Sequence, residues 1–279
     1  MPYIRNLESG AFQVIKDEAF CHLLNGNLPP ENKSLHELFT ELDFIVRQRE
    51  PSITTGALSN VHGDWYEWIL AIVAWNTFCE NPGSNLAILM PNISQFDVAK
   101  LYESDLFNTI EDLREKVRES SAVRLITSNP DFVIINGDLA RLLLPDVTPH
   151  LNFSLESLRF LGTLYIHFIN KCNFYSIIGY ISVKTSLRPD RRLQISHEGS
   201  LMKAIYTHLQ TRQWILNPPG LKYYAISTKL TEPDRFALKT VATHSITIVS
   251  STPQAAVDDV FEVNSVLQAQ ECFLQILGD

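Results

Sequence analysis

The chain has 279 residues, 45% of them hydrophobic, and a formal net charge of -8, with a mean hydropathy of -0.01. That is enough for one large domain, or for a core with a small appended part. The acidic balance excludes a protein that coats DNA by neutralising phosphates along its whole surface, but leaves room for one that holds DNA in a single basic cleft.

No apolar run approaches the roughly 20 residues needed to span a bilayer. The opening MPYIRNLESG has no apolar signal region, so a cytoplasmic protein is expected. Cys21, Cys79, Cys172 and Cys272 are far apart and form no CxxC pair; they read as reduced thiols, not as zinc ligands.

Residues 1–59 read as a mostly helical N-terminal part, and residues 60–279 as the main body. Leu35, Leu38, Phe39, Leu42 and Ile45 keep the helical period over Leu35 to Gln48, between Pro29-Pro30 and Pro51,. Asn60 to Glu80 reads as a second helix with a buried face of Trp68, Ile69, Ile72 and Trp75,. Asp64 and Glu67 have capping-box spacing, so Glu67 is either the partner of its own first turn or an active-site acid,.

Leu86 to Met90 is a predicted buried strand, and Leu106 to Glu119 a charged surface helix,. Ala122 to Asn136 reads as strand, turn, strand, with Asn129-Pro130 at the turn and Asp131 opening the second strand,. Asp131 is there either as a turn residue or as a carboxylate at a sheet end. A helix over Leu151 to Asn170 follows.

The stretch from Tyr180 to Met202 is the most informative. Ser182 and Lys184 alternate with Ile181 and Val183, as on a strand,. Arg188, Asp190, Arg191 and Arg192 come next, and Ser196 is placed to cap a helix with Glu198 in its first turn,. From Lys184 to Lys203 there are five Lys or Arg and two acidic residues. Further on, Leu201 to Thr211 reads as helix, Tyr223 to Thr228 and His244 to Ser250 as strands, and Val257 to Leu277 as a final helix. Interleaved strands and helices predict an α/β fold with a mixed central sheet.

Asp131, Lys184 and Glu198 suit one reaction. Between the first two lie 52 residues and between the last two 13. Phosphodiester hydrolysis uses a divalent cation to polarise the phosphoryl group and activate water, and magnesium takes only one or two protein carboxylates. Asp131 and Glu198 would be those carboxylates, while Lys184 orients or helps deprotonate water and stabilises charge on phosphorus.

Pro130-Asp131, Ser182-Val183-Lys184 and the trailing Glu198 resemble the PD-(D/E)XK nucleases. Within them they resemble the type IIF restriction endonucleases that cut around a CCGG core, where Ser stands at the second acid's position and a Glu from the next helix replaces it. GDWYEW from Gly63, TSNPDF from Thr127, RPDRRLQ from Arg188, HEGSLMKA from His197, YTHLQTR from Tyr206 and KTVATHSIT from Lys239 resemble the subgroup that reads RCCGGY. The resemblance runs from about Asn60 to the C-terminus.

It implies a restriction-endonuclease-like core and a bacterial, magnesium-dependent enzyme that cuts before the first C to leave four-base 5' overhangs. It also implies a homotetramer built as two dimers, and a partner methyltransferase for the same site. Asp131, Lys184, Glu198, Glu67 and Ser182 would form the catalytic set, with Asp131 and Glu198 on the metal. Arg188, Asp190 and Arg191 would read CCGG, with Asn60 near the outer base pair. The chemistry is apt, because arginine forks donate to guanine and aspartate accepts from cytosine; without the resemblance, RPDRR would read as surface ion pairs. His197 stands as a DNA-backbone or structural contact, and Trp214 as an anchor for another subunit or as core. A catalytically silent DNA-binding protein, or a repair or nicking nuclease on the same fold, is the alternative.

Overall fold

The computed structural model describes residues 3–6, 8, 12–120, 125, 129–144, 150–246 and 252–278, apart from the side chain of Asn60. Its centre is a five-stranded sheet. β3 (Leu86–Leu89), β4 (Phe132–Ile135), β5 (Ile177–Lys184), β6 (Lys222–Ser227) and β7 (Asp259–Glu262) lie side by side in that order. β3, β4 and β5 pair antiparallel, while β5, β6 and β7 pair parallel. Ahead of the sheet come a short antiparallel pair, β1 (Ile4–Asn6) and β2 (Phe12–Val14), and the helices α1 (Lys16–Leu24), α2 (Leu35–Arg49) and α3 (Thr55–Glu80).

The remaining helices are α4 (Ser104–Ser120), α5 (Gly137–Leu143), α6 (Leu155–Thr163), α7 (Pro189–Arg212), α8 (Glu232–Leu238) and α9 (Val266–Leu277). Alternation along the strands sets the two faces of the sheet. Phe132, Ile181 and Tyr224 are in register on one face, where Phe132 meets Phe273 of α9. Tyr180 and Tyr223 are in register on the other, where Tyr223 reaches α7. α3 packs against α9 and β3, so the sheet is covered on both faces, as its apolar strands require.

The α/β architecture with a mixed sheet is as expected; several boundaries are not. α3 begins at Thr55, capped by the Thr54 side chain, so Asp64 and Glu67 lie in mid-helix and form no capping box. The helix also runs unbroken across position 59, and Tyr3, Phe20 and Leu35 share one buried cluster with Trp65 and the sheet residues. α7 begins at Pro189, not at Ser196. Proline lacks only an N–H that a first helical turn does not use, and Asp190 in that turn suits the helix dipole. Ser196 instead sits inside the helix and donates to the Ala237 carbonyl of α8.

The expected Val257–Leu277 helix is divided into β7 and α9, with the Ser265 side chain capping α9. The stretch expected as a helix from Leu151 becomes α6 followed by a tighter turn at Leu164–Phe168. Thr243–Ile246 forms a short 3₁₀ turn where a strand was expected, and the rest of that stretch, like most of Ala122 to Ser128, lies outside the described residues. Among the described residues no helix is long and apolar enough to cross a membrane.

Candidate active site

Antiparallel pairing explains how two distant residues meet. β4 enters the sheet with Phe132 opposite Ile181, so Asp131, one residue earlier, arrives beside Ser182. Its Oδ2 accepts from the Val183 N–H at 2.5 Å, from Ser182 Oγ at 3.3 Å and from Lys184 Nζ at 2.9 Å. Lys184 also reaches Oδ1 at 3.3 Å. Asn129, just upstream, fixes the approach: its amide donates to the Pro91 and Phe96 carbonyls and accepts from Val98 N. The aspartate is thus held by the same strand that carries the lysine.

Two helices close over this pair. Glu198 descends from the third turn of α7 and is buried, and the fully buried Tyr223 hydroxyl donates to its Oε2 at 2.6 Å. Gly199 permits that approach. A Cβ there would sit 2.4 Å from the Ala256 carbonyl oxygen and 3.0 Å from the Tyr223 ring, so any larger residue would push α7 and its glutamate off the sheet. Glu67 comes from α3. These groups line one cleft of about 580 Å³ whose walls hold four carboxylates, Asp64, Glu67, Asp131 and Glu198, against the single ammonium of Lys184.

Crowded negative charge shows in the titration of the site. Burial, then the neighbouring Asp131 carboxylate, pushes the Glu67 carboxyl up to about 8, with Lys184 pulling the other way. Burial works against the Lys184 ammonium, but Asp131, with Glu67 and Glu198 behind it, outweighs that effect and raises its pKa. At neutral pH the lysine is therefore a firm cation and Glu67 holds a proton.

A stability prediction follows. With its folded pKa above the ordinary glutamate value, Glu67 contributes stability that is fully present below about 4.5 and is lost as pH rises through about 8,. In thermal melts of metal-free protein, wild type should lose more Tm between pH 6 and 9 than Glu67→Gln, whose amide does not ionise. Parallel curves would show that burial and Asp131 do not raise the Glu67 carboxyl.

Of the remaining sequence candidates, Arg191 lines a second cavity of about 280 Å³. It is lined by Glu67, Lys184, Arg191 and Gln194 among others, and so opens off the same cleft. Arg191 donates to the Ser186 carbonyl at 3.3 Å. Arg188 and Asp190 are exposed and pair with each other at 3.2 Å. Arg192 turns away and binds Asp234 of α8 at 3.0 Å. Asn60 lies in α3 with its side chain outside the described residues, and His197 is exposed. Trp214 stands after α7 in a left-handed conformation (φ 55°) and is 87% exposed, so it is not a core residue.

Three contributors escaped the sequence. Tyr223 looks like any apolar strand residue until its hydroxyl is seen on Glu198. Lys16 forms an ion pair with Asp64 at the lip of the cleft. Gln194 lines both cavities, three residues after Arg191 and four before Glu198, a spacing that puts all three on one helical face. A helix start at Pro189 is the signal that would have revealed it.

Residues 32–279 match the family model described as Cfr10I/Bse634I restriction endonuclease. The type II restriction enzyme Cfr10I of Citrobacter freundii is 47% identical over 230 residues, covering 81% of this chain and 80% of that one. A crystal structure of the type IIF restriction endonuclease Bse634I with cognate DNA superposes with a TM-score of 0.88 at 33% identity, over 97% of this chain and 95% of that one. A second Bse634I structure gives 0.87 at 32% identity, over 98% and 96%.

Proposed function

Because the chain belongs to the Cfr10I/Bse634I restriction endonuclease family, we propose that it is a magnesium-dependent type II enzyme that cuts the DNA palindrome RCCGGY before its first C. One observation carries this reading. Asp131, Lys184, Glu67 and Glu198 converge in one cleft, and Arg191 lines the cavity that opens from it. Chemistry and base reading are then adjacent on α7, with Gln194 between them.

The donor set fits a hard cation. Asp131 and Glu198 offer carboxylate oxygens, and Glu67 and Asp64 line the same cleft. Magnesium takes only one or two protein carboxylates and keeps its other ligands as water and phosphate. When bound, the cation polarises the phosphoryl oxygen, lowers the pKa of the attacking water and neutralises the leaving alkoxide.

The protein's own groups do the rest. Asp131 and Glu198 would hold the metal; the Val183 N–H fixes the first carboxylate and the Tyr223 hydroxyl the second. Ser182 stands where other members of the wider nuclease group carry an acid, and here it steadies Asp131. Lys184, held by Asp131 at the end of β5, carries its positive charge into the cleft, where it stabilises charge on phosphorus and orients the attacking water. Arg188, Asp190 and Arg191 read the CCGG edges by donating to guanine and accepting from cytosine, with Asn60 assigned to the outer pair.

Losing only the Tyr223 hydroxyl should loosen Glu198 without disturbing packing. Tyr223→Phe is expected to raise the magnesium concentration for half-maximal cutting by about 10- to 100-fold. An unchanged magnesium curve would dissociate Tyr223 from the metal site.

A palindrome calls for a two-fold protein with one active site per strand. The exposed Trp214 and Leu216 after α7 supply an apolar contact for a further copy, in keeping with two dimers back to back. Duplexes that differ only in the outer base pair test the readout: cutting should be confined to purine–pyrimidine pairs. Plasmids with two sites should be cut faster than plasmids with one; equal rates would argue against the tetramer. The same reading expects a host methyltransferase that protects the site.

A further inference from the structure

Three cavities follow one another across this face. The reading cavity beside Arg191 and the catalytic cleft share Glu67, Lys184 and Gln194 as walls. On its far side the cleft shares Trp68 and Gly162 with a third cavity of about 460 Å³, formed by β1, β2, the start of α1 and α6. The third and the reading cavities have no wall in common. The cleft therefore lies between them, and a strand whose scissile phosphate sits in the cleft would run from the base-reading side onto this third surface.

Its charge is the reverse of the cleft's. Three cationic side chains, Arg5, Lys16 and Arg159, line it against one carboxylate, Asp17. Lys16 is engaged by Asp64 at the lip, but Arg5 and Arg159 are exposed and make no ion pair among the described residues. The chain is acidic overall and its catalytic cleft is crowded with carboxylates. Phosphates approaching such a cleft are repelled unless fixed cations nearby compensate. Two unpaired guanidinium forks beside the cleft are suited to that task, because arginine grips phosphate oxygens in a fixed geometry.

We propose that the shelf carrying Arg5 and Arg159 holds backbone phosphates of the DNA outside the base-read core, tying the N-terminal strands to DNA binding. The proposal rests on the reading of this chain as a CCGG-cutting enzyme. It predicts contacts that carry no sequence information, made only by duplexes long enough to extend past the recognition site.

The test compares the full-length wild type with Arg5→Ala/Arg159→Ala by binding to two duplexes in a salt series. One duplex carries RCCGGY centred in long flanks; the other ends just beyond the site. On the long duplex, where both protomers of the two-fold enzyme bring their shelves to the DNA, the double variant should lower the slope of log affinity against log salt by about 3.6, roughly 0.9 for each of the four lost phosphate contacts. On the short duplex the two proteins should give the same slope and the same cutting rate. Arg159→Ala alone, on the exposed face of α6, should give about half the shift and guards against misfolding at the strand. Unchanged slopes on the long duplex, with preference for CCGG intact, would overturn the shelf alone. Absence of any preference for CCGG in the wild type would instead overturn the underlying functional reading.

Discussion

Lys184→Ala should abolish cutting while leaving specific binding in place. The Lys184 ammonium contacts Asp131 at 2.9 Å, at the end of β5, and among the described residues Asp190 of the reading element pairs with Arg188 instead. Its work belongs to the transition state, where negative charge gathers on phosphorus, so its loss should lower the cleavage rate by about 10²–10⁴-fold and change affinity for an RCCGGY duplex little. Removing the cation also leaves Asp131 and Glu67 with less compensation, so the variant should respond more steeply to magnesium. Single-turnover cleavage and equilibrium binding on the same duplex read both effects. If binding fell together with cutting, the division of labour between β5 and the start of α7 would be wrong.

Arg191→Ala should relax sequence discrimination at the CCGG core by about 1–3 kcal/mol, roughly 5- to 150-fold in relative preference for the correct base. Unlike Arg192, which is tied to Asp234, Arg191 forms no ion pair among the described residues and donates to the Ser186 carbonyl at 3.3 Å. That bond is readily exchanged for a guanine edge. The measurement is the ratio of cutting rates on cognate duplexes and duplexes with one altered core base. Full speed with unchanged preference would take Arg191 out of the reading set. A uniform loss across all sequences would make it a phosphate contact instead.

What could be seen in the sequence was mostly local. The alternation of Ser182 and Lys184 against Ile181 and Val183 fixed β5 and its polar face, and β5 with its antiparallel neighbour then delivered Asp131 to the lysine. That pairing is a long-range event, and no periodicity near Asp131 announces it; the family motif supplied it. Capping signals misled twice. Asp64-Glu67 and Ser196 each look like helix starts, but α3 is capped at Thr54 and gains the buried Leu58 and Val61, while α7 starts at Pro189, whose fixed backbone and missing N–H suit a first turn,.

Moving the start of α7 back to Pro189 matters most. It joins Arg191, Gln194 and Glu198 into one helical face, so that the residues proposed for reading and for chemistry share a rigid element. The final apolar stretch was read as one helix because short apolar runs do not distinguish strand from helix. There Ser265 and the parallel partner β6 decide the matter. Tyr223 and the basic shelf were invisible for a different reason: each acquires its meaning only from residues far away in the chain.

Digestion of a sequenced plasmid by the wild-type protein, with and without magnesium, followed by sequencing of the cut ends, tests the central claim most directly. The account predicts cuts only with magnesium, at every RCCGGY and nowhere else, each before the first C with a four-base 5' overhang. Magnesium-dependent cutting at sites that lack a CCGG core, or intact plasmid in the presence of magnesium, would contradict it.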